Sequence, residues 1–255
     1  MLISTWNVNS IKARLPNTIK WLKLVNPDIL LLQETKTIDS TFPKLELEEL
    51  GYNIAIYGQK SYNGVAILSK FPIHDIIYGI PGFTEDEQAR YIECYTSNLC
   101  IASIYAPNGN PSPGPKYEYK LNWLSALEEH AKTLLKNRDP VILGGDFNII
   151  PESEDCYDPV AWADDALFKK ESRMAFRKII NLGYTEAFRA INNETGRYTF
   201  WDYQKGRFQR DEGIRIDHFL LSPEATDKLE FCKIDKTPRS WVKPSDHTPV
   251  LCKIT

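Results

Sequence analysis

The sequence predicts one layered α/β domain spanning residues 1–255, with mixed β-sheets and helices between the strands. Three observations predict it. Short apolar runs recur along the chain, several of them β-branched and apolar on both faces, as strands of sheets covered on both sides are. Segments with apolar residues every three or four positions lie between them. No Gly/Ser or Pro-rich linker, low-complexity tract or tandem repeat divides the chain.

In chain order, MLISTWN reads directly as a strand at Leu2–Trp6, and Ile11, Leu15, Ile19 and Leu22 then recur at helical spacing. ILLLQ gives a strand at Ile29–Gln33, and Pro43 and Gly51 bracket a short helical turn. Strands follow at Asn53–Tyr57, Gly64–Ser69, Tyr91–Tyr95 and Leu99–Tyr105. Leu121, Leu124, Leu127, Ala131 and Leu134 mark a second long helix, followed by a strand at Val141–Gly145. The stretch from about Ile150 to Lys170 is the longest irregular segment, and loops of that length inside compact domains are usually functional. Ser172, a good N-cap, opens a helix that stops near Gly183, and strands at Ile216–Leu221 and Pro249–Ile254 complete the pattern.

Bulk properties exclude several classes. A chain of 255 residues with 42% hydrophobic and 25% charged residues has the composition of an ordinary globular protein. No apolar run approaches the ~18 residues of a membrane helix, and the first residues lack the basic region and apolar core of a signal peptide. Five scattered cysteines without a CxxC pair argue for a reducing, cytoplasmic setting and against a disulfide framework or structural zinc site. The formal charge of −3 does not advertise a nucleic-acid binder, but net charge says nothing about local patches. Nothing points to an obligate oligomer, so a monomer is expected.

The chemistry concentrates at strand ends. GGDFN places Asp146 and Asn148 after an apolar run, and SDHTPV places Asp246 and His247 about a hundred residues later. Asn7, Glu34 and Tyr105 also end apolar runs, so with Asp146 they stand at strand carboxyl ends, where open α/β sheets bind ligands. Asp217 and the Asp246–His247 pair instead open their strands. Antiparallel placement would bring those amino ends to the same edge, provided the sheets are mixed. If strand geometry persists, Asp146 and Asn148 share one face and Phe147 points to the core. Acids, amides and an acid–histidine pair are much of what metal-assisted phosphoester hydrolysis needs. Oxygen donors of this kind suit Mg2+ or Mn2+, and no His/Cys cluster suits zinc. A carboxylate beside His247 would raise its pKa and fix its tautomer.

WNVNS, PDILLLQETK, NGVAILSK, YAPNGN, GGDFN, RIDHFLLS and SDHTPV appear in this order from residue 3 to residue 252. The series resembles the exonuclease III family of abasic-site DNA endonucleases, in its bacterial type. The resemblance implies a four-layered α/β sandwich of two packed mixed sheets flanked by helices. It implies cleavage 5′ to abasic sites in duplex DNA with Mg2+ (or Mn2+), accompanied by 3′→5′ exonuclease and 3′-phosphatase or phosphodiesterase activity at blocked 3′ ends. It assigns Glu34 as the main metal carboxylate, with Asn7 and Asp246 beside it. By the same resemblance Asp146 orients or deprotonates the water, Asn148 fixes water and phosphate, Tyr105 and His247 contact the phosphate, and Asp217 orients His247. Two positions depart from the pattern: Asn9 stands where many members carry aspartate, and Ile214 where some carry a tryptophan of the abasic-sugar pocket.

Phe200, Trp201, Ile214 and Ile216 are the candidate walls of an apolar sugar pocket. Arg14, Lys36, Lys60, Lys116, Lys120, Arg207, Arg210 and Arg215 are candidates for a basic rim that positions phosphates without reading sequence. His74 in a loop, His130 on a helix surface and His218 packed beside its strand are expected to have no part in the chemistry. The rival reading is a phosphatase or phosphodiesterase of the same superfamily acting on a non-DNA phosphoester. YAPNGN and RIDHFLLS fit the DNA-repair branch better, and no amphipathic membrane-binding segment is present.

Overall fold

In ILLLQ, Ile29 and Leu31 point one way and Leu30 and Leu32 the other, and each pair enters a different hydrophobic core. This alternation, repeated strand by strand, builds the layers. The computed structural model describes residues 1–255. The strands are β1 (Leu2–Asn7), β2 (Ile29–Gln33), β3 (Asn53–Tyr57), β4 (Val65–Ser69), β5 (His74–Tyr78), β6 (Tyr91–Thr96), β7 (Leu99–Tyr105), β8 (Val141–Asp146), β9 (Thr185–Glu186), β10 (Asp217–Leu221), β11 (Leu229–Ile234) and β12 (Val250–Ile254). The helices are α1 (Ile11–Val25), α2 (Lys44–Glu48), α3 (Pro115–Leu134), α4 (Lys170–Asn181), α5 (Ala187–Ile191) and α6 (Pro223–Thr226).

Two six-stranded mixed sheets result, ordered β11-β12-β1-β2-β4-β3 and β5-β6-β7-β8-β10-β9. Each has one parallel pair near its middle, β1 with β2 and β7 with β8, and antiparallel neighbours elsewhere. The largest core joins the facing sides of the two sheets through Ile3, Leu31, Ile67, Ile101, Ile142 and Phe219. A second core packs Trp123, Leu124, Leu127 and Phe176 of α3 and α4 on the outer face of one sheet. A third packs Trp21 and Leu22 of α1 and Leu47 of α2 on the outer face of the other. The layers are thus helix, sheet, sheet, helix, as expected.

Register places the chemistry. β10 runs antiparallel to β8 with Asp217 opposite Asp146, and Tyr105 of β7 lies opposite Asp146 on the other side. Tyr105, Asp146 and Asp217 therefore form one row at one edge of their sheet. In the other sheet Asn7 pairs with Gln33, which sets Glu34 just beyond. The glycines before Asp146 allow close approach on two sides: a Cβ on Gly145 would lie 2.0 Å from the Ile104 carbonyl oxygen of the neighbouring strand, and one on Gly144 2.7 Å from a Leu31 methyl of the facing sheet.

The structure adds three strands that the sequence pattern did not signal, β5, β9 and β11, and each is a sheet edge. An edge strand buries little, and every residue of β5 is exposed, so its pattern is not apolar on both faces. α4 begins at Lys170, not Ser172; the Ser172 hydroxyl instead donates to the Ala166 carbonyl. His74 is the first residue of β5. His130 is not on a helix surface: it lies in the buried stripe of α3 with Leu127 and Leu134, bonded to Glu93 at 2.7 Å. No helix is long and apolar enough to cross a membrane.

Under the long loop lies a buried charge network. Arg215 donates to Asp155 at 2.8 and 3.0 Å and to Glu186 at 2.7 Å, and Arg189 also pairs with Asp155. Burial pushes the Glu186 carboxyl up, but Arg215 and His218 outweigh it and hold it down at about 2. A carboxyl depressed in the fold stabilises it above the ordinary value of 4.5, and that contribution is lost as pH falls toward about 2. Arg215→Met leaves both acids buried without their shared cation and is expected to cost about 3–5 kcal/mol. Urea unfolding at pH 7 and at pH 3 measures this. The variant should start lower and fall less over that window, and wild-type stability at pH 7 would count against the network.

Candidate active site

Buried and half-buried polar side chains from both sheets meet where the two sheets present their edges. Asn7, the last residue of β1, donates one amide group to Glu34 at 2.8 Å and to Asp146 at 2.9 Å, tying the two sheets together. Asp146 accepts the backbone N–H of Asn148 at 2.9 Å. Asn148 does not continue the strand: it is left-handed, with φ 50°. The Asx-type turn around Asp146, not strand alternation, brings the two side chains together. Phe147 is buried in the helix-side core as expected. The Asn148 amide donates to the Ala106 carbonyl at 2.9 Å, leaving its carbonyl oxygen toward Asn108 at 3.4 Å.

His247 links the row. Its Nδ1 meets Asp217 at 2.9 Å and its Nε2 lies 3.7 Å from Asp146, while Phe200 packs edge-on against the ring at 5.0 Å. Ligand atoms of Glu34, Asp146 and His247 all lie within 4.8 Å of one another, and with His247 protonated the two carboxylates are the donors this cluster offers a metal ion. Asp246 reaches Glu34 only indirectly: it accepts the Asn9 amide at 3.0 Å, Asn9 accepts Lys36 at 2.6 Å, and Lys36 pairs with Glu34 at 2.7 Å.

Burial and charge set the protonation states. Burial alone would lower the His247 pKa, but Asp217 and Asp146 outweigh it and raise it to about 10. The ring is an imidazolium at neutral pH. Burial, then Asp217 and Glu34, push the Asp146 carboxyl up against the pull of His247. Burial also raises Glu34, but Lys36 outweighs it and the carboxyl ends below its ordinary value. Tyr105 is raised well above 10, first by burial and then by Glu34 and Asp146. It is a neutral phenol.

Asn7, Glu34, Tyr105, Asp146, Asn148, Asp217, Asp246 and His247 thus converge on one edge. The outer candidates divide. Lys60 and Lys116 are exposed, Arg210 is paired with Glu212 at 2.6 Å, and Arg207 lies 3.7 Å from Glu212. Arg14 donates to the Asn9 carbonyl at 2.7 Å. Two cations leave the expected rim altogether. Arg215 is buried in the charge network, and Lys120 is fully buried, its ammonium donating to the carbonyls of Asn108 and Asn148. Burial outweighs the opposing pull of Asp146 and Asp165 and lowers Lys120 to about 7. Trp201 is fully buried, its N–H on Asp211 at 3.1 Å, because it packs on Phe208 inside the fold. Ile214 and Ile216 are buried with Leu167 and Phe168 of the long loop, so of the expected pocket walls only Phe200 reaches solvent.

Sequence reasoning missed Asn108 and Arg90. Asn108 lies inside YAPNGN and was available; Arg90, stacked 4.8 Å over Tyr105, had no motif to announce it. Asp217→Asn should remove the largest favourable influence on His247 and lower its pKa. Histidine NMR titration measures the shift, and an unmoved His247 would refute the pairing.

The chain is also similar to several known proteins along its whole length. The chain is 32% identical to an exodeoxyribonuclease of Bacillus subtilis, with 98% of each chain covered. It superposes on a 3′ phosphatase, NExo, from Neisseria bound to product DNA hairpin, with TM-score 0.98 and 38% identity over 100% of this chain and 99% of that one. An AP endonuclease from Archaeoglobus fulgidus superposes with TM-score 0.96 and 35% identity over the same shares. With a family profile matching residues 4–247 besides, the chain belongs to the Endonuclease/Exonuclease/phosphatase family.

Proposed function

We propose that this chain is a metal-dependent DNA-repair nuclease whose one catalytic unit spans residues 1–255. It hydrolyses the phosphodiester 5′ to abasic sites, leaving a 3′-hydroxyl, and acts at DNA 3′ ends as exonuclease and phosphatase. The observation that carries this reading is the row Tyr105–Asp146–Asp217, closed by His247 against Asn7 and Glu34.

Each group has a task that its surroundings favour. Asp146, held by Asn7 and the Asn148 N–H, orients the attacking water and takes its proton; its raised pKa suits a base near neutral pH. Tyr105 stays protonated, so it donates a hydrogen bond to the phosphate rather than serving as base. The His247 imidazolium, fixed by Asp217, stabilises negative charge on the non-bridging oxygens. Glu34, Asn7 and Asp246 offer the oxygen donors that suit Mg2+ or Mn2+. When bound, such an ion supplies charge neutralisation and stabilises the leaving oxyanion. A cavity of about 300 Å3 beside the site, lined by Arg90, Asn108, Asn110 and Lys116, suits a neighbouring phosphate.

The test uses three labelled duplexes, one with a single tetrahydrofuran abasic analogue, one with a 3′-phosphate and one undamaged, with Mg2+ and with chelator. A metal-dependent cut 5′ to the analogue establishes abasic incision, and phosphate release without that cut establishes 3′-end processing. No reaction on any of them, with retention on anionic liposomes instead of duplex DNA, would replace this reading with a non-DNA phosphoesterase. Asp146→Asn and His247→Ala should each lower turnover by about two to four orders of magnitude while DNA binding persists. Normal rates in either would refute its role.

A further inference from the structure

The segment after β2 is folded by its backbone into an unusual shape. Glu34 and Lys36 are both left-handed, at φ 49° and 51°, a region that residues with side chains rarely adopt. The backbone between them is held by hydrogen bonds from Thr35 to the Gly64 carbonyl and from Lys36 to the Asn63 carbonyl. The turn that results brings the Lys36 ammonium onto the Glu34 carboxylate at 2.7 Å. This differs from a casual surface pair, since both side chains are mostly covered, at 28% and 16% exposure.

Both oxygens of Glu34 are therefore in use. Oε1 accepts the Asn7 amide at 2.8 Å and Oε2 carries the ammonium. Asn9 completes the arrangement. Its carbonyl oxygen accepts Lys36 at 2.6 Å and its amide donates to Asp246 at 3.0 Å, an orientation fixed by a cation on one side and an anion on the other. Being neutral, Asn9 gives Lys36 no second carboxylate. Glu34 is the one anion the ammonium pairs with.

We infer that Lys36 is a resident cation of the metal site, occupying Glu34 until a divalent ion displaces it and thereby setting the ion concentration the enzyme needs. The inference rests on the reading of Glu34 as a metal ligand. Lys36 then belongs to the metal equilibrium and not to the DNA rim. Its release on ion binding would free an ammonium at the mouth of the site.

Titration of the DNA-free protein with Mn2+, followed by the loss of free-ion EPR signal, tests this in wild type, Glu34→Gln, Lys36→Gln and Lys36→Met. Lys36→Gln should bind Mn2+ about tenfold more tightly, because a partly buried competing charge is gone. Lys36→Met, of similar length and uncharged, should move affinity the same way, which keeps the test alive if Lys36→Gln folds poorly. Equal or weaker binding in both variants, with binding lost in Glu34→Gln, overturns the inference alone. Binding unchanged in Glu34→Gln overturns the metal-site reading beneath it.

Discussion

Two aspartates buried on adjacent strands repel each other strongly, and the fold tolerates Asp146 opposite Asp217 because His247 lies between them as a cation. The rest of the site follows from this. The imidazolium needs Asp217 to stay charged, and Asp146 needs the imidazolium to remain ionisable inside the protein. Asn7 supplies the remaining support from the other sheet, using one amide for both Glu34 and Asp146. Neither sheet alone contains the site.

Much of this was legible in the sequence because the relevant residues end or begin strands that are apolar on both faces. Such strands announce themselves, and polarity fixes which end of each meets the others. The three unsignalled strands lie at sheet edges, where burial is too slight to impose a pattern. Long charged side chains were the least legible. Arg215 and Lys120 look like surface cations in sequence, and only tertiary packing reveals that one neutralises two buried acids while the other caps backbone carbonyls. Trp201 misled for the opposite reason: a tryptophan beside a site is equally suited to wall or core, and here packing on Phe208 makes it core.

These internal cations matter to the site although their charged groups face away from its chemistry. Lys120 ties the loop after β7 to the turn after β8 by holding Asn108 and Asn148 through their carbonyls. Arg215 fixes the entry to β10 two residues before Asp217 by binding Asp155 of the long loop. The loop is therefore fastened from beneath, and its apolar residues are free to pack over Ile214 and Ile216.

The pairing of β1 with β12 has a consequence for assembly. Leu2 lies opposite Lys253, so the sheet carrying Asn7 and Glu34 is completed between distant ends of the sequence. Contacts of such long range form slowly, because loop closure precedes any reward from them. His247 and Asp246 lead into the same strand, so the cleft gains its cation only when β12 docks. A chain emerging during synthesis would thus carry an unfinished cleft, with Asp146 and Asp217 unreconciled. Chemical competence should appear late and all at once, when the last strand closes the sheet.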